Sequence, residues 1–328
     1  MMYFCTLFDS NYLSRGLTMY ESLKRVTNDF HLYVFPFDEA ALNVLRSLNL
    51  SNVTVISLDE FEDEQLLAIK PSRSNVEYCW TSSSSAILYV LETFGVPHCT
   101  YIDADLFFYD SPKILLDEMR DESILITAHR YARRNDISHL SGIYCVQFTV
   151  FKNDTRGLTA LRWWRNACLE WCYAREEGGK FGDQKYLDDW PTRFAGVHVL
   201  NHLGGGVAPW NVELYDFVEE NGIIAGRERK SGLRFDLIFY HFHYLRYYDN
   251  GSVDLGGYRL PENIRITFYQ PYLKALDRSK EMIRQIDASF DPHGPRSAKM
   301  KYGDFVIMLK RKAKRQYNVY ERTILGAE

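Results

Sequence analysis

The stretch TYIDADLFFYDSP, residues 100–112, places Asp103 and Asp105 where an apolar run stops. Isolated carboxylates are costly to bury. Residues i and i+2 of a strand share a face, so two acids at that spacing repel one another. The repulsion is relieved when a cation sits between them or when one takes a proton. Hard divalent cations prefer oxygen ligands, and Mg²⁺ or Mn²⁺ commonly bridges protein carboxylates to phosphates. Plain turn chemistry gives the alternative, with Asp105 capping a turn and Asp103 facing water.

A second stretch bears on that choice. HLGGGVAPW carries His202, three consecutive glycines and then Ala208, Pro209 and Trp210. Gly205 and Gly206 offer a backbone that a phosphate can approach closely. His202 offers an imidazole, and Mn²⁺ accepts mixed oxygen and nitrogen ligation. Asp103, Asp105 and His202 could then hold one ion that also grips a diphosphate. A hydrogen-bonded loop histidine beside a flexible turn accounts for the same residues. In FYHFHYLR, His241 and His243 share a strand face and could bind metal, but core or acceptor-pocket roles fit them better.

These groups need a scaffold. MYFCTLF (2–8), HLYVFPF (31–37), VTVISL (53–58) and HCTYID (98–103) have the length and apolarity of strands. Helical spacing runs through 14–26, 39–48 and 82–95, the last with Thr81 or a nearby Ser as N-cap and Gly95 as its stop. That alternation predicts a parallel sheet with helices on both faces, and ligands bind at the carboxyl ends of such strands. Further on, SILITAH, GIYCVQFTVF, GVHVL and LIFYHFHYLR read as strands. Residues 159–177 read as a strong helix, and 179–191 as a glycine-led turn into a short helix closed by Pro191. A main domain over 1–255 and a helical, basic extension over 256–328 are expected.

Composition narrows the function. The net charge is −4, which steers nothing toward nucleic acid. The six cysteines form no C-x-x-C pair, so zinc is not indicated and a reducing, cytoplasmic setting is expected. No apolar run approaches the length of a membrane span. The tail interleaves Lys299, Lys301, Lys310, Arg311, Lys312, Lys314 and Arg315 with Tyr302, Phe305, Ile307, Met308, Leu309 and Tyr317. That mixture suits peripheral contact with the inner face of an anionic membrane, and equally a solvated basic helix.

Taken in order, four motifs resemble the GT-A fold, retaining nucleotide-sugar glycosyltransferases, the family that includes glycogenin and bacterial lipooligosaccharide galactosyltransferases. They are TLFDSNY, YIDAD, Asp183-Gln184 within FGDQKYLDDW, and His202 through Trp210. The likeness spans about residues 6–211 and is nearest to bacterial surface-polysaccharide members through DQKYLD and APWN. It implies an α/β, Rossmann-like, mostly parallel sheet with flanking helices. It implies Mn²⁺ or Mg²⁺ as cofactor, a nucleotide-sugar donor (UDP-linked by the same likeness), and a glycan or lipid-linked acceptor. Thr6, Leu7 and Tyr12 would border the uracil, with Tyr12 stacking. Asp103, Asp105 and His202 would hold the metal, with Asp103 also near the ribose. Gly205 would lie against the diphosphate, and Asp183 and Gln184 would border the anomeric carbon. Ala208 stands where the family usually has a lysine on the diphosphate, and Arg246 or a tail cation is the candidate replacement. A catalytically inactive sugar-nucleotide-binding or scaffold protein is the alternative function.

Overall fold

The computed structural model describes residues 1–220, 222–299 and 302–321, with Tyr302 described by its backbone alone. Its first half is the expected alternation: β1 (Met2–Phe8), α1 (Leu13–Val26), β2 (Phe30–Pro36), α2 (Glu39–Leu48), β3 (Val53–Val55), α3 (Asn75–Phe94) and β4 (His98–Ile102). Two short strands and a long one follow, β5 (Leu106–Phe108), β6 (Ile124–Ala128) and β7 (Tyr144–Lys152). Then come α4 (Thr155–Glu170) and β8 (Val197–Val199).

Seven strands form one sheet in the order β3-β2-β1-β4-β7-β6-β8. All pair in parallel except β7, which is antiparallel to both neighbours. Both sheet faces are buried, as a parallel sheet under helices requires. On β1, Phe4 and Phe8 enter one core layer with Leu17 and Leu23 of α1. Cys5 and Leu7 enter the other with Ile87 and Val90 of α3 and Trp164 of α4. The chain leaves β1 toward β2 and β3, then returns as β4 on the other flank of β1. The carboxyl ends of β1 and β4 are therefore the switch point at which such sheets form clefts.

Several boundaries differ from the sequence reading. Helix α3 starts at Asn75 rather than near Ser82, because Ser74 and Glu77 close a capping box ahead of it. Its run Thr81–Ser85 is buried mid-helix. Helix α4 is capped earlier than expected by the Asp154 carboxylate on the Gly157 N–H and ends at Glu170. Pro191 opens a short turn, Trp190–Arg193, where its missing N–H costs nothing, instead of closing one.

The remaining strands make three small sheets: β9 (Tyr215–Glu220), β10 (Ile223–Glu228) and β11 (Arg234–Asp236) together; β12 (Phe239–His241) against β5; and β13 (Arg246–Tyr247), β14 (Ser252–Asp254) and β15 (Val319–Glu321) together. Of the expected strand 237–246, only Phe239–His241 and Arg246, the first residue of β13, lie in paired strands. Helix α5 (Gln270–Arg284) lies along α1, where the Thr18 and Ser279 hydroxyls meet at 2.7 Å. Helix α6 (Tyr302–Ala313) is pinned to β14 by Arg311, which grips both oxygens of Asp254 at 2.6 and 2.7 Å. Lys301 of the basic tail lies outside the described residues.

Candidate metal centre

The site grows from the end of β4. Pairing with β7 extends one step past the strand, the Asp103 N–H donating to the Gln147 carbonyl at 3.1 Å. The Leu106 N–H then bonds the Asp103 carbonyl, closing a turn that delivers Asp105 to the mouth of β5. Strand β12 pairs antiparallel with β5 so that His241 faces Leu106, and the Phe242 N–H bonds the Asp105 carbonyl. This register brings His241 to the aspartates. Its Nε2 lies 3.0 Å from Asp105 Oδ1 and 3.7 Å from Asp103 Oδ2. Ligand atoms of Asp103, Asp105 and His241 fall within 4.8 Å of one another, and they are the sole group of that kind among the described residues.

Electrostatics follow from the burial. Desolvation pushes the Asp103 carboxyl up to about 6, with the Asp105 charge adding to it and His241 opposing it. Asp105 goes the other way: burial would raise it, but the charge and hydrogen bond of His241 hold it below the usual carboxylate range. Burial would lower His241, yet the two carboxylates hold it well above the ordinary histidine value. The carboxylates thus favour the charged form of the imidazole. A divalent ion in that place would meet two carboxylates and a ring nitrogen, a set that suits Mn²⁺ and tolerates Mg²⁺. Asp103 keeps 29% of its side chain exposed against 11% for Asp105, so the cluster opens on the Asp103 side.

The structure places the other predicted residues as follows. Among the described residues, the histidine grouped with Asp103 and Asp105 is His241, and His202 is not in that group. The glycine run folds the His202 ring back on its own loop, where Nδ1 accepts from the Gly204 N–H at 3.2 Å, and the His202 N–H is held by Glu118. A Cβ on Gly204 would lie 1.9 Å from the Asp236 carbonyl oxygen, one on Gly205 would meet Leu200 and Leu115, and one on Gly206 would meet Thr127 and Gln147. These glycines admit close packing of the protein on itself. Ala208 and Trp210 are buried with Cys145, and the Trp210 indole meets the rings of His241 and His243 edge-on at 5.2 and 5.4 Å.

Asp183 is buried, accepts from the Ser83 hydroxyl at 2.9 Å, and is pushed up to about 7 by burial, with the Asp103 charge contributing. Gln184, half-buried, opens the short turn that follows. Thr6 is fully buried, and its Oγ1 has no partner among the described residues; Leu7 belongs to the core layer under α3. Tyr12 is exposed at the end of β1 with the Arg15 guanidinium 4.4 Å from its ring centre. His243 is brought down to about 4 by burial, with His241 and Arg246 reinforcing the shift. Arg246 lies 3.7 Å over the Tyr244 ring. Gln147, a single amide inside the apolar run YCVQFTVF, also reaches this cluster, its Oε1 lying 2.6 Å from His241 Nδ1.

No family model matches this chain. The uncharacterized protein YfnD of Bacillus subtilis (strain 168) is 30% identical over 294 residues, covering 88% of this chain and 92% of that protein. YfnF of the same organism is 31% identical over 247 residues, covering 73% and 80%. The chain belongs to the family of YfnD and YfnF. Among solved structures, the galactosyltransferase LgtC in complex with donor and acceptor sugar analogs superposes with a TM-score of 0.50 at 12% identity, over 87% of this chain and 96% of that one. The architecture is thus the GT-A fold, and the acid–imidazole cluster of this YfnD relative stands at the carboxyl edge of its central sheet.

Proposed function

We propose that this protein is a metal-dependent glycosyltransferase. It moves a sugar, with retention of configuration, from a nucleoside diphosphate sugar (a UDP-sugar first among them) to a hydroxyl of a glycan or lipid-linked acceptor in bacterial surface-polysaccharide synthesis, releasing the nucleoside diphosphate. The observation that carries the reading is the convergence of Asp103, Asp105 and His241 at the switch point of a GT-A sheet. The cluster is built from a β4 turn and a strand that is remote in sequence. The solved protein of this fold was captured with donor and acceptor sugar analogs, which fits the same cleft use here.

Asp103, Asp105 and His241 would hold the ion. When bound, it supplies Lewis-acid stabilisation of the charge that develops on a departing diphosphate. The chain's own groups do the rest. Tyr12 offers a ring at the end of β1 for a base, and Arg246 offers a cation in place of the missing lysine at 208. Asp183, pushed up to about 7 by burial and held by the Ser83 hydroxyl, can donate or accept a hydrogen bond at a sugar hydroxyl. Gln184 is a neutral amide and a poor nucleophile. With Gln184 next to the anomeric carbon, a front-face route is favoured, in which the acceptor proton passes to the leaving phosphate. Screening UDP- and GDP-sugars with the purified protein tests this reading. We expect slow donor hydrolysis with Mn²⁺ that stops on chelation and leaves no sugar adduct on Asp183. Metal-independent turnover, or none with any donor, defeats it.

Peripheral membrane docking is part of the proposal. No helix among the described residues is long and apolar enough to cross a membrane. On α6, Phe305 and Leu309 are exposed and lie four apart on one face, with Ile307 exposed nearby and Lys310, Lys312 and Lys314 following. That pattern suits an anionic headgroup layer. Co-sedimentation with vesicles containing phosphatidylglycerol should be largely lost in Phe305→Asp/Leu309→Asp. Undiminished binding by that variant excludes α6 as the contact.

A further inference from the structure

Gln147 is fully buried in the middle of β7. A primary amide there is costly unless both ends are satisfied. One end is: Oε1 lies 2.6 Å from His241 Nδ1. The other, Nε2, has no partner among the described residues. A strand position that tolerates an unpaired amide nitrogen is being held for what its oxygen does.

An amide oxygen has no hydrogen to give, so the shared proton sits on Nδ1 and the imidazole donates. We propose that Gln147 is the positioning residue of the cluster, fixing the His241 ring with Nδ1–H turned away and Nε2 turned toward Asp103 and Asp105. This rests on the proposal above that the cluster holds a divalent ion. It adds the residue that decides which ring nitrogen meets it. Nδ1 and Nε2 lie on opposite sides of the ring. With Nδ1–H bonded to the amide oxygen, Nε2 is the ring nitrogen left to face the carboxylates and to offer a lone pair to an ion between them.

The surroundings leave few rivals for the task. The groups facing His241 are Asp103 and Asp105 on the Nε2 side, with the Cys145 thiol, the Trp210 indole and the His243 and His129 rings around it. Cys145 is two residues from Gln147 on the same strand, and a thiol is a weak acceptor beside an amide oxygen. Trp210 meets the ring at 85° and restrains its plane but offers no acceptor to Nδ1. Outer partners of this kind tune metal affinity by orienting the ligand and raising its basicity.

The test uses the full chain with Mn²⁺ as the probe, read by calorimetry and by the nitrogen hyperfine coupling of the bound ion. Gln147→Leu keeps the bulk and removes the acceptor. It should lower Mn²⁺ affinity by about 10- to 100-fold and weaken the imidazole coupling, while the melting temperature holds. Gln147→Glu keeps an acceptor at the same place and should bind Mn²⁺ within a few-fold of wild type. Wild-type affinity and coupling in Gln147→Leu overturn the assignment. So does a folded Gln147→Glu that binds no better than Gln147→Leu. If Gln147→Leu does not fold, wild-type-like binding by Gln147→Glu upholds the assignment and weak binding overturns it. A wild-type protein that binds no Mn²⁺ fails earlier, at the metal site itself.

Discussion

Among the corners of the molecule that put imidazoles beside carboxylates, two have opposite characters. At one, Glu118 receives the Asn201 N–H and the His198 Nε2 on Oε1, both at 2.6 Å, and the His202 N–H on Oε2 at 2.9 Å. His202 Nδ1 is occupied by the Gly204 N–H. Each acceptor there has a donor from the fold, so the corner is a closed structural joint between β8 and the glycine loop. At the other, Asp103 and Asp105 face each other across His241, with that one ring as their common partner and an open edge at Asp103. Similar groups thus make a joint where backbone N–H groups and a neighbouring ring satisfy the carboxylate, and a cluster that could take a cation where they do not.

The difference predicts a graded series of losses. Asp105→Asn should cost most, about 100- to 1000-fold in donor turnover, because it removes a charge that would hold the ion opposite the leaving group. His241→Ala should follow, with Mn²⁺ affinity reduced and the nitrogen coupling abolished. His202→Ala should leave Mn²⁺ affinity within about two-fold of wild type, since its ring nitrogen is spent on Gly204. Donor turnover of the three variants, with calorimetric Mn²⁺ titration beside it, gives the order. A His202→Ala loss as large as that of His241→Ala would merge the two corners and undo the comparison.

The sheet was legible in the sequence because its strands are apolar on both faces and punctuated by helices, a pattern that local residues determine. The aspartate pair was legible for a related reason: acids at the end of a buried run are anomalous in themselves. The third member of the cluster was not. His202 follows a strand-like segment and His241 lies within one, and which of them meets the aspartates is decided by two tertiary facts. One is the antiparallel register of β12 on β5, which aligns His241 with Leu106. The other is the fold of the glycine loop against Asp236, which turns His202 away. Glycines that read as room for a phosphate are filled by Leu200, Leu115 and Thr127. Likewise, α3 began earlier than its serine run proposed, because the capping box of Ser74 and Glu77 outweighs a buried Thr81. Spacing along the chain reports periodicity and caps well, but it does not report which of two loops meets a strand end.

The smallest effect is expected at the closed corner, and it separates stability from chemistry. Burial would raise the Glu118 carboxyl, but the hydrogen bonds from the Asn201 N–H, His198 and the His202 N–H hold it below the ordinary glutamate range. A carboxylate whose folded-state value is depressed contributes stability above its unfolded value, about 4.3, and loses it as the pH falls through the folded-state value. Glu118→Gln keeps an acceptor oxygen but turns an amide NH₂ toward donors. It should cost about 1–3 kcal/mol at neutral pH. Urea unfolding should show the gap between variant and wild type closing as the pH drops below about 4. Mn²⁺ affinity at neutral pH should not move, because none of the hydrogen bonds lost involves Asp103, Asp105 or His241. A variant that unfolds no more easily would deny this corner its structural role, and one that loses Mn²⁺ along with stability would mean that the two corners are one coupled network.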